Sequence, residues 1–353
     1  MKKLPLLFFA LLLIASCGGG SENKQVAAVK DSLAFNSVPD SAADEQGSGD
    51  EEVMEPKEIP FDLFGKRRID LDTPLVADSI LTALFPGNYY PSEETMVVWK
   101  SKQTKCREFT GWFDEEKEHF PCPDSMGGSM ETRIGTEIRY SDDDGNKNIL
   151  ISLSSFDFTG DVIRCGRFAC AHLALAHFRL EKDKWVLKAW TPAIGCFGAF
   201  GSMPVLNLVK FGKNNYGVYL DNSNGGPGGA YYGDSYVYGL INGEFRLLLK
   251  RNSTSLGNAM SMWHSEFSGT GDDKIFGDLR CTTKGSYQTY AHFKAQDDDT
   301  SNVPAAIKDL IKTKEHFNFT IVTDFIFENG KYVFKDEDAV ASDMTKEEWA
   351  KEP

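Results

Sequence analysis

Residues 319–334 read Phe-Thr-Ile-Val-Thr-Asp-Phe-Ile-Phe-Glu-Asn-Gly-Lys-Tyr-Val-Phe, two apolar runs joined through Asn329-Gly330. An Asn-Gly pair between such runs is a strong short hairpin signal, because a type I′ turn needs positive φ at both central residues. The same layout recurs three times upstream. Tyr236 to Ile241 turns at Asn242-Gly243 into Phe245 to Leu249. Val205 to Phe211 turns at Gly212 to Asn215 into Tyr216 to Tyr219, and His172 to Leu180 passes through Glu181 to Lys184 into Trp185-Val186-Leu187. The expected fold is therefore mainly β, an antiparallel sandwich or meander of hairpins with a few helices at its edges.

Repetition supplies an alternative. The aromatics that open the second strands, Trp185, Tyr216, Phe245 and Tyr332, are 31, 29 and 87 residues apart. The last gap is about three times the others, as in a β-propeller-like repeat with two degraded units, although a blade usually takes ~40–45 residues. Generic hairpin rhythm gives the same spacing. Helices are expected at three places. Thr73-Pro74 reads as N-cap and first helical residue before Val76, Ile80 and Leu84. Pro304 to Lys314 carries Ile307, Leu310 and Ile311 on one face, and Thr345-x-x-Glu348 forms a capping-box pattern.

The 353 residues carry 38 Lys+Arg against 52 Asp+Glu, a formal charge of -14. That balance argues against nucleic acid as a partner, since phosphate binding draws on clustered Lys and Arg. No run of 18 apolar residues occurs. Residues 1–16 instead have the pattern of a signal peptide: Lys2 and Lys3, then a short apolar stretch from Leu4 to Ala15. It ends Ile14-Ala15-Ser16-Cys17, which resembles the lipobox of bacterial lipoproteins. The resemblance implies acylation of Cys17 and a partner membrane reached through N-terminal lipid. Gly18 in place of aspartate implies an outer-membrane address, facing the periplasm or the surface.

Residues 17–60 read as a lipidated, acidic, disordered tether: ten acids from Glu22 to Glu58 against Lys24, Lys30 and Lys57, with Gly18-Gly19-Gly20-Ser21 and three prolines. So polar a segment cannot bury enough apolar surface to offset its ordering entropy. Within it, Asp31-Ser32-Leu33 and Asp40-Ser41-Ala42 resemble the Asp-Ser/Thr-apolar triplet that some envelope bacteria O-glycosylate, which would make Ser32 and Ser41 acceptors. Residues 61–342 then form the β-rich domain and 343–353 a short C-terminal helix or tail. A sub-boundary near 160 is indicated by the cysteines and glycine turns that cluster after it. From Ala169 to Tyr231 the chain resembles uncharacterised secreted β-rich bacterial proteins, through Cys170, the Phe-Gly loop Gly195 to Gly201 and the glycine-aromatic segment Gly225 to Tyr231. That resemblance implies strands and carries no activity.

With Cys17 acylated, six cysteines remain: Cys106, Cys122, Cys165, Cys170, Cys196 and Cys281. An even number in an exported chain reads as disulfides. Proximity pairs Cys106 with Cys122 and Cys165 with Cys170, leaving Cys196 for Cys281. A metal held by Cys106, His119 and Cys122 is the rival reading, with spacings that match no established zinc pattern.

No cofactor is expected otherwise, with one candidate exception. Asp142, Asp144, Asn146 and Asn148 put side-chain oxygens at positions 1, 3, 5 and 7 of a loop, the pattern by which calcium is held, although the closing acid is missing and Lys147 intrudes. A plain Asp-Gly turn competes with it. His172 and His177, five apart, point to opposite faces of a strand and cannot share a metal. Trp263-His264-Ser265-Glu266 gathers base, hydroxyl and acid too closely for a triad and reads as a polar loop. Gly225 to Gly233 with Tyr231, Tyr232, Tyr236 and Tyr238 is the candidate ligand surface, glycines admitting a partner and tyrosines supplying rigid contact area. No catalytic set is recognised. The expectation is an envelope lipoprotein that binds a protein or a glycan, with an envelope glycan hydrolase or a purely architectural protein as alternatives.

Overall fold

The structure is a computed structural model. It describes residues 56–65, 67–91, 95–102, 107–110, 117–120, 129–158, 170–198, 203–225, 231–252, 262–270, 273–288 and 303–349. Cys17, Ser32 and Ser41 lie outside the described residues, as do Cys106, Cys122 and Cys165.

The architecture is mainly β. The first sheet contains β1 (Lys57–Pro60), β2 (Asp70–Asp72), β3 (Asn88–Tyr90), β4 (Met96–Lys102), β7 (Ser129–Ser141), β8 (Lys147–Phe158), β9 (Ala171–Glu181) and β10 (Lys184–Phe197). Its order is β1-β4-β7-β8-β9-β10-β2, with β3 beside β4, and it is curled. A small hairpin, β5 (Arg107–Thr110) with β6 (Lys117–Phe120), forms a separate two-stranded sheet. The second sheet is the meander β11 (Asn207–Gly212), β12 (Asn215–Gly225), β13 (Tyr231–Ile241) and β14 (Glu244–Asn252). The third repeats that plan with β15 (Met262–Gly269), β16 (Leu279–Gln288), β17 (His316–Glu328) and β18 (Lys331–Asp343).

The turns follow the sequence chemistry. Asn242 and Gly243 have φ of 53° and 79°, Asn329 and Gly330 51° and 82°, the positive pair that a type I′ turn demands. Along β17 burial alternates, with Phe317, Phe319, Ile321, Thr323 and Phe325 inward. The four opening aromatics do mark hairpins, but the wide gap from Phe245 to Tyr332 contains the hairpin β15–β16 and the strand β17 rather than two lost units. The repeat is one of four-strand meanders of unequal length.

Four apolar clusters hold the layers. One face of the first sheet, through Trp99, Ile151, Phe178 and Trp190, packs on Ile80, Leu81 and Leu84 of α1 (Ala77–Leu84). Its other face meets the second sheet through Leu150, Leu175, Val218 and Tyr238. The second and third sheets share Phe211, Val237, Phe267 and Tyr332. Beyond them, Trp263, Phe317 and Phe319 pack on Val303 and Ile307. Gly212 and Gly269 let second and third sheets approach: a Cβ on Gly269 would lie 2.2 Å from the Lys210 carbonyl oxygen.

Several expectations are corrected here. Thr73 is no N-cap: its hydroxyl donates to the Asp183 carbonyl (3.0 Å), the Thr73-Pro74 peptide is cis, and α1 starts after Val76. Pro304 to Lys314 forms two 3-10 turns, Ala305–Ile307 and Leu310–Lys312, instead of one α-helix. The capping box does form, opening α2 (Lys346–Trp349): the Thr345 amide donates to Glu348 Oε2 and the Glu348 amide to Thr345 Oγ1, at 2.7 and 3.3 Å. Lys57 to Pro60, assigned to the tether, pairs in parallel with β4 and buries Ile59 completely. Position 160 is no boundary within the sheet, because β8 pairs with β9 across it.

Candidate ligand-binding surface

The Asp142 to Asn148 turn joins β7 to β8, and its oxygens are consumed by protein donors. Asp142 Oδ1 accepts from the Asn146 amide (2.8 Å), and its Oδ2 from Asn146 Nδ2 (3.0 Å) and Arg179 Nη2 (3.1 Å). Asn148 Nδ2 donates to the Asn146 carbonyl, and Asp144 Oδ2 accepts from Asn214 Nδ2 (2.8 Å). Asp143 accepts from Lys210 Nζ (2.6 Å), from the Asn214 amide (2.9 Å) and from Tyr216 (3.2 Å). These bonds hold the carboxyls of Asp142 and Asp143 below the usual range, despite the opposing burial at Asp142. The four side chains proposed for calcium are turned to one another's donors, to Arg179 and to Asn214, not to a common point. The turn interlocks the first and second sheets. Among the described residues no group of three or more His, Cys, Asp or Glu is placed to hold a metal.

Of the four tyrosines proposed as a ligand surface, Tyr236 and Tyr238 are described, and both pack toward the first sheet. Tyr238 is 3% exposed, and its hydroxyl donates to the Ile194 carbonyl on the first sheet (3.2 Å). Tyr236 is half-buried, edge-on to Phe197 at 5.1 Å, with Lys250 Nζ 5.5 Å from its ring centre. Burial, with Asp234 beside it, raises the Tyr236 phenol out of any useful titration range. Tyr231 and Tyr232 begin β13 opposite Gly225 and Asn224; their side chains lie outside the described residues. The alternation of β13 sends Tyr236 and Tyr238 toward the first sheet because that is where the apolar contact is, so Tyr238 is closed to a ligand and Tyr236 keeps only part of its surface.

Cysteine pairing also differs from expectation. Cys170 and Cys196 stand at disulfide distance, Cα to Cα 5.5 Å, and Cys281 is a buried free thiol. Antiparallel pairing of β9 with β10 sets Cys196 opposite His172 and so beside the residue that precedes β9. Cys281 sits between the second and third sheets with Thr283 3.8 Å away, and burial pushes its thiol up. His172 and His177 do face opposite ways: His172 is level with Ser155 and Cys196, while His177 meets Tyr140 and Asn148 at the second-sheet interface. A carboxylate that the sequence did not single out is Glu131, 3% exposed on β7. Burial raises its pKa to about 6 even though Arg133 Nη2 lies 3.0 Å away.

The open polar surface is the outward face of the third sheet. Trp263, Ser265 and Phe267 are buried, and His264, Glu266 and Ser268 between them are exposed, so this segment is a strand with two faces instead of a polar loop. Register sets His264 opposite Lys284, Lys284 opposite Thr320, and Thr320 opposite Val340, which is 72% exposed. One step along, Ser286 is opposite Asn318. A shallow hollow of about 360 Å³ opens there, lined by Trp263, His264, Lys284, Gly285, Ser286 and Asn318. At the other end of the face, Arg280 is held by both oxygens of Asp324, each at 2.7 Å. The hollow draws its groups from three strands that are separated by up to 55 positions, so no local motif announces it. Its one sequence signal is the polar alternation Thr282, Lys284, Ser286 along β16.

No family model, curated protein or solved structure matches the chain.

Proposed function

We propose that the protein is an outer-membrane lipoprotein, acylated on Cys17, whose acidic tether carries a β domain that binds a glycan on the outward face of its third sheet. The observation that carries the binding reading is the hollow itself. Its volume of about 360 Å³ lies at the low end of the ~300–1,000 Å³ of small-ligand sites. Its rim offers an ammonium, a hydroxyl, a carboxamide and an imidazole, the mixed donors and acceptors that sugar hydroxyls use. A shallow, open shape suits a chain ligand that lies across a sheet. The lipobox motif and the length of the acidic segment support the anchored address.

The binding test is a glycan panel titrated against the full-length protein, wild type and Asn318→Ala. Retention of one glycan class by the wild type, with weaker retention by the variant, supports the reading; a bound glycan indifferent to Asn318 moves the site elsewhere. Anchorage is tested by palmitate labelling: the label is expected on the wild type and lost in Cys17→Ser.

A further inference from the structure

The four polar groups of the hollow form a compact block. His264 and Lys284 are direct cross-strand partners, as are Ser286 and Asn318, and Lys284 and Ser286 stand two apart on β16 and hence on one face. Neighbouring strands are ~4.8 Å apart and same-face residues ~7 Å along a strand, so one ligand group can reach several of these side chains at once. Among the described residues Lys284 has no ion-pair partner. The carboxylates on this face stand away from the Ser286–Asn318 end: Glu266 is level with Thr282, one row from Lys284 and two from Ser286, Asp338 is level with Val322, Asp336 with Asp324, and Asp324 is engaged by Arg280. The face is therefore polarised, with acids toward the Arg280 row and a single ammonium with hydrogen-bond donors at the hollow.

Resting on the glycan reading above, we infer that the hollow selects sugars that bear a carboxylate. Lys284 supplies the opposite charge, while the Ser286 hydroxyl and the Asn318 carboxamide donate to carboxylate or ring oxygens. A neutral sugar would leave the ammonium without its strongest partner, because charge-assisted hydrogen bonds are about twice as strong as neutral ones. The chain as a whole is acidic, at -14. That long-range field is screened within ~8 Å at physiological salt, so the local ammonium decides which group settles in the hollow.

The experiment uses the full-length protein in detergent. It is titrated with oligogalacturonate and sialyllactose, with their carboxyl-reduced counterparts, and with neutral cello-oligosaccharides. The expected result is that at least one carboxylated glycan binds about tenfold or more tighter than its reduced counterpart. Lys284→Gln should erase that preference, whereas Lys331→Gln, at the start of β18, should keep it. Unchanged unfolding midpoints would show that both variants remain folded. Equal affinity for acid and reduced forms, with Asn318→Ala weakening both, would overturn carboxylate selection and leave the glycan reading standing. Binding of no glycan of either kind would overturn both. A preference that survives Lys284→Gln would overturn the placement at Lys284.

Discussion

Replacing His177 by glutamine should remove a defined part of the protein's sensitivity to acid. His177 Nε2 lies 3.0 Å from Asn148 Oδ1 and 3.2 Å from the Tyr140 hydroxyl. The Asn148 amide is oriented by its other bonds: Nδ2 donates to the Asn146 carbonyl (2.8 Å) and Oδ1 accepts from Arg179 Nε (3.1 Å). Oδ1 is thus the acceptor, which assigns the imidazole proton to Nε2 and leaves Nδ1 buried without a hydrogen-bond partner. A second proton on Nδ1 would be desolvated, with the Arg179 charge close by. Burial first, then Arg179, lowers the pKa from 6.5 to about 4. Between those values the unfolded chain binds a proton that the folded chain refuses. The contribution is therefore complete above pH 6.5 and is lost as pH falls toward 4. From pH 8 to pH 5 a shift of that size removes about 2 kcal/mol. Urea unfolding of wild type and His177→Gln at both pH values measures it, since each protein's own drop is compared and any constant offset of the variant cancels. His172, lowered to about 4 by burial, and Glu131, raised to about 6 by burial, act in both proteins and cancel as well. Equal drops in the two proteins would refute the buried, neutral assignment of His177.

Gly269→Ala should destabilise by about 1–3 kcal/mol or more, because its Cβ would meet the Lys210 carbonyl oxygen at 2.2 Å; calorimetric melting against Gly145→Ala, where no atom lies within 4 Å of the added Cβ, separates crowding from backbone strain. Cys170→Ser should cost about 3 kcal/mol by releasing a loop closed over 26 residues, read by urea unfolding with and without reductant. Cys281 should resist alkylation in the native protein and react fully once denatured, a difference that mass spectrometry of the labelled peptide would show. Glu131 predicts the opposite pH trend to the histidines: the folded carboxyl holds its proton up to about pH 6, so Glu131→Gln should flatten a loss of stability between about pH 4.5 and 6.

What could be read from residues alone depended on whether the physics was local. Asn242-Gly243 and Asn329-Gly330 announced their turns because few other residues accept positive φ in succession, and Thr345 with Glu348 announced a cap because the bonds span three positions. Ile307, Leu310 and Ile311 were less decisive: spacings of three and four suit an α-helix, and spacing of three suits the 3-10 turns that form. Thr73 before Pro74 had the chemistry of a helix start, but its hydroxyl found the Asp183 carbonyl across 110 positions. Disulfide connectivity was beyond reach for the same reason, since Cys170 and Cys196 are neighbours only through the β9–β10 register and its bulges. Tyr236 and Tyr238 of β13 looked like part of a contact surface because their composition suits one, yet composition does not say which sheet they will pack against. Lys284, Ser286 and Asn318 passed unnoticed as ordinary polar residues until three strands brought them together.

The central claim, that the outward face of the third sheet holds the ligand, is tested most directly by hydrogen exchange of the full-length protein with and without a glycan it retains. Slower exchange confined to β15, β16 and the first half of β17 around Asn318 is the predicted result. Protection centred on β12 and β13, or none on the third sheet, would contradict it.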